Sequence, residues 1–379
     1  MSSEIVDFVA GLTLVDHHVH GAYRGDGPEE RFQNALNEAN NAPLVDPGQV
    51  YDSQLGFAVR RWCAPLLDLP PHVGPHEYWR RRAELGELEA ARRLTRAAGV
   101  GDWLIDTGFT SGEFLDLTEM AAVSGGRTHE VVRLEAVAEE LVATLDDGAE
   151  YGDAFRGALQ VRARDAIGTK SVMAYRCGFD HDLARPPSDA VAAAAARWRD
   201  VVGASGTARL TDPVLIGFGI HAAVDLGLPL QLHVGLGDRD LDLRGANPLH
   251  LLDFLRDHDR SGVPVLLLHC YPYEREAGYL AQAFETVYLD VGLATNFLGV
   301  RSRELIAGAL ELAPFGKQLY SSDGFGPAEH HYLGAALWRR AVGDLFTDWV
   351  SSGDWSGSDA RRVASMIGRD NARRVYRLG

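Results

Sequence analysis

The sequence predicts an α/β fold, a closed (β/α)8 TIM barrel with a helical insertion after its first strand. Three observations lead there. Eight short, apolar segments alternate with helical patterns along the 379 residues. Polar residues stand at the C-terminal ends of several of those segments, the side of a barrel where functional groups gather. The turn after the first segment reads Asp16-His17-His18-Val19-His20. A doubly wound open sheet, the main alternative, would carry a Gly-rich phosphate turn at that point.

The elements follow in order. Leu12-Thr13-Leu14-Val15-Asp16 is short, apolar and β-branched, as a strand buried on both faces should be. From about Gly27 to Ala98 the chain is rich in Arg, Glu, Ala and Trp, with a break at Leu69-Pro70-Pro71. That stretch is too long for one barrel helix and reads as a helical insertion, residues 27–98, above the first strand. Its Arg80-Arg81-Arg82 run reads as a solvated helix face. Further strands are expected at Asp102–Thr107, Glu130–Glu135, Ile167–Tyr175, Leu228–Val234, Val263–His269, Thr286–Val291 and Gln318–Ser322. Helices are expected around Val137–Leu141 and at Ala190–Val202, Asp212–Leu226, Pro248–Arg256, Ser302–Leu312, Tyr332–Trp349 and Asp359–Tyr376. There is no repeat, low-complexity tract or clear linker, so residues 1–379 are expected to form a single domain.

Composition narrows the function classes. Lys and Arg number 37 against 53 Asp and Glu, a formal charge of −16. Such a chain repels nucleic-acid phosphates and anionic membranes, which leaves a small-molecule substrate as the expected partner and a homo-oligomer as compatible with it. Cys63, Cys177 and Cys270 are too few and odd in number for a disulfide framework, which points to a reducing cytoplasm. No signal-peptide pattern opens the chain and no apolar run is long enough to cross a bilayer, so a soluble, unprocessed protein is expected.

The chemistry is carried by polar groups at strand ends. His18 and His20 are two apart, so both imidazoles leave the same face of a strand and can reach one metal ion. Alone, such a pair says little, and a single strand-end His is more often a hydrogen-bonded core residue than a ligand. Here, however, Lys170 interrupts the fourth apolar strand, His233 ends the fifth, His269 the sixth and Asp323 the eighth. Their spacing agrees with a barrel of about 31 residues per βα unit. His233 and His269 are 36 apart, one unit; His269 and Asp323 are 54 apart, room for the seventh strand; Lys170 and His233 are 63 apart, one unit with an extra helix.

In this order, His-x-His, Lys, His, His, Asp, the sequence resembles the amidohydrolase superfamily. From Leu230-Gln231-Leu232-His233-Val234-Gly235 onward, through Asp240-Leu241-Asp242-Leu243-Arg244, Asn247-Pro248-Leu249-His250, Tyr288–Leu293 and Tyr332–Ala335, it is similar to the amidohydrolase domain of nodulin/glutamine-synthetase-type (FluG-like) proteins. The similarity is densest from Lys170 to Ala335 and weak before Asp102. Many such relatives carry a glutamine-synthetase-like domain; with the chain ending at Gly379 and His18 so early, neither that domain nor a leading β-sandwich is expected here.

The resemblance implies roles. His18, His20 and Asp323 would hold one divalent ion, zinc or else manganese or iron. His233 and His269 would hold a second ion, or complete the first site and contact the substrate. Lys170 would carry a CO₂-derived carbamate bridging two ions; an unmodified Lys170 with a lowered pKa is the rival. The implied reaction is hydrolysis of an amide by a metal-activated hydroxide, with Asp323 moving the proton and His269 or the second ion polarising the carbonyl. Arg176 and Arg244 are candidates to clamp a substrate carboxylate, with pairing to Asp238, Asp240 or Asp242 equally open. Tyr175, Tyr271, Glu329 and His330 are candidates for the pocket wall, and His72, His76 and His181 are expected at the surface. The glutamine-synthetase fusions hint at a γ-glutamyl amide. The alternative on the same scaffold is a mononuclear metal-dependent decarboxylase acting on an aromatic acid; a decayed, non-catalytic binding protein should have lost at least one ligand.

Overall fold

Among the described residues, seven parallel strands run in sequence order around one curled sheet: β1 (Leu14–Val19), β2 (Val100–Asp106), β3 (Arg127–Arg133), β4 (Gly168–Ser171), β5 (Leu230–His233), β6 (Val265–Leu268) and β7 (Val287–Leu289). The computed structural model describes residues 2–38, 44–109, 112–145 and 147–379; part of the expected insertion, 39–43, lies outside them. β1, β4, β5 and β6 are buried along their whole length; β6 accordingly reads as an unbroken apolar run, while the polar residues of β1, β4 and β5 are buried with their strands.

The eighth expected strand, Gln318–Ser322, forms no regular ladder, yet it closes the barrel. On one side Leu319 N–H donates to Leu289 O at 3.0 Å; on the other His17 N–H donates to Tyr320 O and Asp323 N–H to His18 O, both at 3.2 Å. Its irregularity has a local cause. Ser322 N–H donates to the Asp16 carboxylate at 3.0 Å rather than to a backbone carbonyl, and Asp323 turns to φ 48°.

Boundaries move where a helix starts early. β4 stops at Ser171, short of the expected Tyr175, because Met173–Arg176 turns helical, and the helix Leu134–Val142 cuts β3 off at Arg133. β1 instead runs three residues past Asp16, so His18 lies inside it. The helices Ser2–Ala10, Leu117–Ser124, Tyr151–Arg162, Glu274–Ala283 and Gly292–Leu298 were not expected, and the expected helix Asp359–Tyr376 is broken by a π turn at Met366–Asp370. Among the described residues no helix is long and apolar enough to cross a membrane, and the three cysteines are free thiols.

Two cores result. The larger lies among the helices and the outer faces of the strands. The smaller gathers Val15, Leu104, Val131, Leu266, Leu268 and Leu319 from different strands with Ala372, Val375 and Tyr376 of the helix Asn371–Tyr376. That helix lies at the N-terminal ends of the strands: Arg127, which opens β3, donates to Gly379 O, and Arg373 is 3.8 Å from Asp102 near the start of β2. It plugs the bottom of the barrel and leaves the opposite mouth for the site.

Between β1 and β2 the chain is helical, with Glu29–Ala35, Gln54–Ala58, Pro75–Leu85 and Glu87–Ala97 as α-helices. Its tie to the barrel corrects one expectation. Arg82 is not solvated: it is 3% exposed, with Nε 2.8 Å from Glu329 Oε1 and Nη1 and Nη2 at 2.8 and 2.6 Å from the Glu87 carboxylate. Tyr78 Oη donates to the same Glu329 oxygen at 2.7 Å. Successive helix residues point about 100° apart, so only one of three adjacent arginines could turn inward this far. Arg82→Met would leave two buried carboxylates without their guanidinium. We expect a loss of about 3–5 kcal/mol in urea unfolding, partly recovered by adding Glu329→Leu; a loss below about 1 kcal/mol would show that this network contributes little.

Candidate metal centre

The barrel brings six expected side chains to one mouth. His18 and His20 come from the end of β1, Lys170 from β4 and His233 from the end of β5. His269 follows β6, and Asp323 ends the closing segment. All six are buried. Asp323 Oδ1 lies 3.1 Å from His18 Nε2 and 3.4 Å from His20 Nε2, and its Oδ2 lies 3.4 Å from His269 Nε2. Lys170 Nζ is 3.2 Å from His18 Nε2, and the His233 and His269 ring centroids are 4.7 Å apart. His18, His269 and Asp323 form one group with ligand atoms close enough to share an ion; His18, His20 and Asp106 form another.

Backbone strain accompanies this convergence. His269 and Asp323 are held at φ 69° and 48°, a region that costs a non-glycine residue of order 1–3 kcal/mol. Asp290 supports the first of these turns. Its Oδ1 accepts from His269 N–H at 3.0 Å, Gly292 N–H at 2.7 Å and Ser321 Oγ at 2.8 Å.

Whether the residues suit a metal is decided by their free electron pairs. His18 Nδ1 lies 2.8 Å from Gln231 Oε1, and His20 Nδ1 3.4 Å from the Asp106 carbonyl. Both acceptors require Nδ1–H, so both Nε2 lone pairs face Asp323. His233 Nε2 donates to Leu236 O at 2.9 Å, leaving Nδ1 bare. Neither nitrogen of His269 nor Oδ1 of Asp323 has a hydrogen-bond partner, although all three atoms are buried. Buried polar atoms without partners are costly and rare. A cation among them would satisfy several at once, and imidazole with carboxylate suits zinc, manganese or iron.

The electrostatics agree with that fit. Burial pushes His20 and His233 down to about 3 and lowers His18 and His269 as well, so these rings are neutral near pH 7. Burial works the other way on Asp323, but His269 and His18 outweigh it and hold the carboxyl well below its usual range. Lys170 is lowered by burial to about 8, against the pull of Asp106 and Asp323.

His20, Lys170, His233, His269 and Asp323 line a cavity of about 520 Å³. Tyr175 and Arg176 line it: the Tyr175 ring lies 4.4 Å from that of His233, and Arg176 Nη1 donates to Glu139 at 2.7 Å. A Cβ on Gly237 would come within 2.1 Å of Tyr175 Oη, so this approach needs glycine there. One expected clamp residue and one expected wall residue lie elsewhere. Arg244 is exposed and paired bidentately with Asp242, and Tyr271 lines a separate depression beside Glu274 and Leu305. Glu329 is engaged by Arg82, and His330 Nε2 donates to Ala35 O. His72, His76 and His181 are exposed.

Several further residues frame the site. Asp106 receives Arg133 Nη2 and Nε at 2.7 and 3.1 Å, and the Arg133 guanidinium covers the Phe109 ring at 4.4 Å. Phe109 and Phe325 meet the His20 ring edge-on at 5.0 and 5.7 Å. The insertion contributes Asn34, Asn37 and Glu38, and Glu38 hydrogen-bonds Asp238. Asp106 and Arg133 end β2 and β3, the rule that found the other residues; nothing in the sequence marked Glu38.

Of these groups Lys170 alone is expected to change charge close to neutrality. Below about pH 8 its ammonium opposes a cation at His18; above it the neutral amine does not. Zinc affinity of the metal-free protein, measured by chelator competition, should rise about tenfold per pH unit up to about pH 8 and then level off, and Lys170→Met should flatten the rise. An equal slope in the variant would remove Lys170 from the site.

The comparisons with known proteins follow the same lines. The sequence is 31% identical to protein fluG of Emericella nidulans over 284 residues, 66% of this chain and 32% of that protein, so the match spans about a third of fluG. A Lactobacillus casei ATCC 334 protein, provisionally described as a metal-dependent hydrolase, superposes with a TM-score of 0.86 at 27% identity, covering 98% of this chain and 97% of its own. A uronate isomerase from Bacillus halodurans C-125 shares the fold with a TM-score of 0.65 at 14% identity, covering 100% and 96%. Residues 15–378 match the amidohydrolase family, and the chain belongs to it.

Proposed function

We propose that the protein is a metal-dependent hydrolase that cleaves an amide C–N bond of a small carboxylate-bearing molecule, with γ-glutamyl amides as the favoured class. The observation that carries this reading is the set of buried, unpartnered donor atoms of His269 and Asp323 on the wall of a charged cavity. His18, His20 and Asp323 would hold one ion, zinc or else manganese or iron; His233 and His269 would hold a second, with Lys170 joining the two as a carbamate. When bound, such an ion supplies Lewis acidity that brings the pKa of water from 15.7 towards about 7 and polarises a carbonyl.

The chain's own groups do the rest. Asp323 is ionised at neutral pH; with Oδ1 turned to the ion that His18 and His20 would share, Oδ2 can take a proton from the attacking water and pass it to the leaving nitrogen. Arg176 spends Nη1 on Glu139 and Leu210 O, and its remaining N–H groups suit a substrate carboxylate. Glu38 and Asp238 suit an ammonium group, as a γ-glutamyl head would present. Asn34 and Asn37 add neutral hydrogen-bonding groups to the same wall. Similarity to fluG and to a metal-dependent hydrolase supports the class of chemistry.

A second reading rests on Phe109 and Phe325. Their rings beside His20 suit an aromatic acid, the substrate of a mononuclear decarboxylase. One experiment separates the two: protein loaded with zinc or manganese in bicarbonate is assayed with γ-glutamyl amides and with aromatic carboxylates, alongside metal content per chain. Amide hydrolysis with close to two ions per chain, reduced at least about 10³-fold in His18→Ala/His20→Ala, is the expected result. CO₂ release with one ion would establish the decarboxylase, and hydrolysis surviving in the double variant would sink the metal mechanism.

A further inference from the structure

The relay that begins at His18 does not end at Gln231. Gln231 Nε2 lies 2.8 Å from His17 O and 2.8 Å from Tyr376 Oη. A backbone carbonyl can only accept, so the amide nitrogen must face His17 O and Gln231 Oε1 must face His18. A flipped amide would set two acceptors against each other at His17 O. Tyr376 Oη, having accepted from Gln231, has its own proton to place, and His17 Nδ1 lies 3.1 Å away. His17 Nδ1 is therefore bare, its Nε2 carries the proton, and that proton goes to Asp290 Oδ2 at 2.9 Å. Every donor in the set has one acceptor and no alternative assignment satisfies all of them. Gln231, His17 and Asp290 are at most 2% exposed and Tyr376 4%, so water does not compete.

Tyr376 belongs to the helix that plugs the barrel bottom, not to the mouth. Its ring passes beside Gly168, where a Cβ would stand 3.2 Å from Cε1. The side chain thus reaches up through the barrel interior to the network beneath the metal ligands. The same Asp290 that ends the relay supports the strained His269 turn through its other oxygen.

We propose that Tyr376 is a positioning residue for the metal centre: His17 O sets which way the Gln231 amide faces, and Tyr376, as the second acceptor of the same Nε2, holds that amide in place so that His18 keeps the Nδ1–H tautomer and presents Nε2 to the ion. This rests on His18 being a ligand, but not on the substrate class. Outer partners of ligating histidines are typically worth 10–100-fold in metal affinity. Binding free energies are reciprocal, so an ion at His18 also tightens docking of the helix Asn371–Tyr376.

The test uses the full chain and zinc alone. Tyr376→Phe keeps the ring and removes one hydroxyl. Two readouts are taken, the zinc Kd by chelator competition and the His18 ring ¹⁵N shifts in the metal-free protein. The wild type should show protonated Nδ1 and bare Nε2; the variant should show a mixture and bind zinc about 10–100-fold more weakly. Gln231→Met cuts the link at its middle, so adding Tyr376→Phe to it should change the Kd by less than about twofold. An unchanged tautomer and Kd in Tyr376→Phe would overturn the proposal. So would an equal loss in both backgrounds, which marks a folding defect rather than a relay. Should the wild type take up no zinc, the ligand reading fails, while the ¹⁵N shifts still decide the tautomer relay.

Discussion

The short segment Gln318–Asp323 holds together the two edges of the sheet, and the site exists only where it does so. Leu319 takes hold of β7, while Tyr320 and Asp323 take hold of β1 on either side of His17 and His18. A carboxylate from the last strand position thereby comes to rest among imidazoles from the first, fifth and sixth. Beyond Asp323 the hold on the chain of β1 continues, with His20 N–H donating to Gly324 O at 2.8 Å. Closure and assembly of the histidine–aspartate cluster are one event, and the positive φ at Asp323 is the geometric consequence of ending a strand and aiming its side chain inward at the same residue.

Assembly has a thermodynamic cost that the rest of the fold must offset. Each buried polar atom without a partner costs about 1–3 kcal/mol, and His269 and Asp323 contribute three such atoms. Burial keeps the imidazoles neutral, which limits repulsion when no cation is present. The compensation lies outside the site: two hydrophobic cores, and the buried Arg82 network that fastens the insertion to the helix Ala328–Ser351. Native proteins place strain of this kind where function needs it and make it good elsewhere.

The barrel and the polar strand ends that gather at its mouth were legible in the sequence for a definite reason. A strand buried on both faces tends to be apolar, so a polar residue at its end stands out; His269 after Val265-Leu266-Leu267-Leu268 is such a case. Asp106 and Arg133 follow the same rule but pair with each other, and either can pass for an ordinary surface charge when read alone. Helices such as Tyr151–Arg162 and Glu274–Ala283 were missed because their mixed polar faces resemble loop composition. Pairing was less legible still. Arg176 and Arg244 carried the same expectation, and only tertiary placement shows that one lines the cavity while the other lies flat against Asp242.

Two parts of the chain meet in the cavity with different freedom to vary. The strand ends are fixed by register: moving His18, Lys170 or His233 by one residue would turn it to the other face of the sheet. The segment carrying Asn34, Asn37 and Glu38 has no such constraint, since helix and loop length between β1 and β2 can change without disturbing the barrel. The strand ends are therefore the fixed part of the cavity wall and the insertion the part that is free to vary. A barrel of the same shape in an isomerase at 14% identity is what this division leads one to expect, because closure of the sheet fixes the shape and not the chemistry.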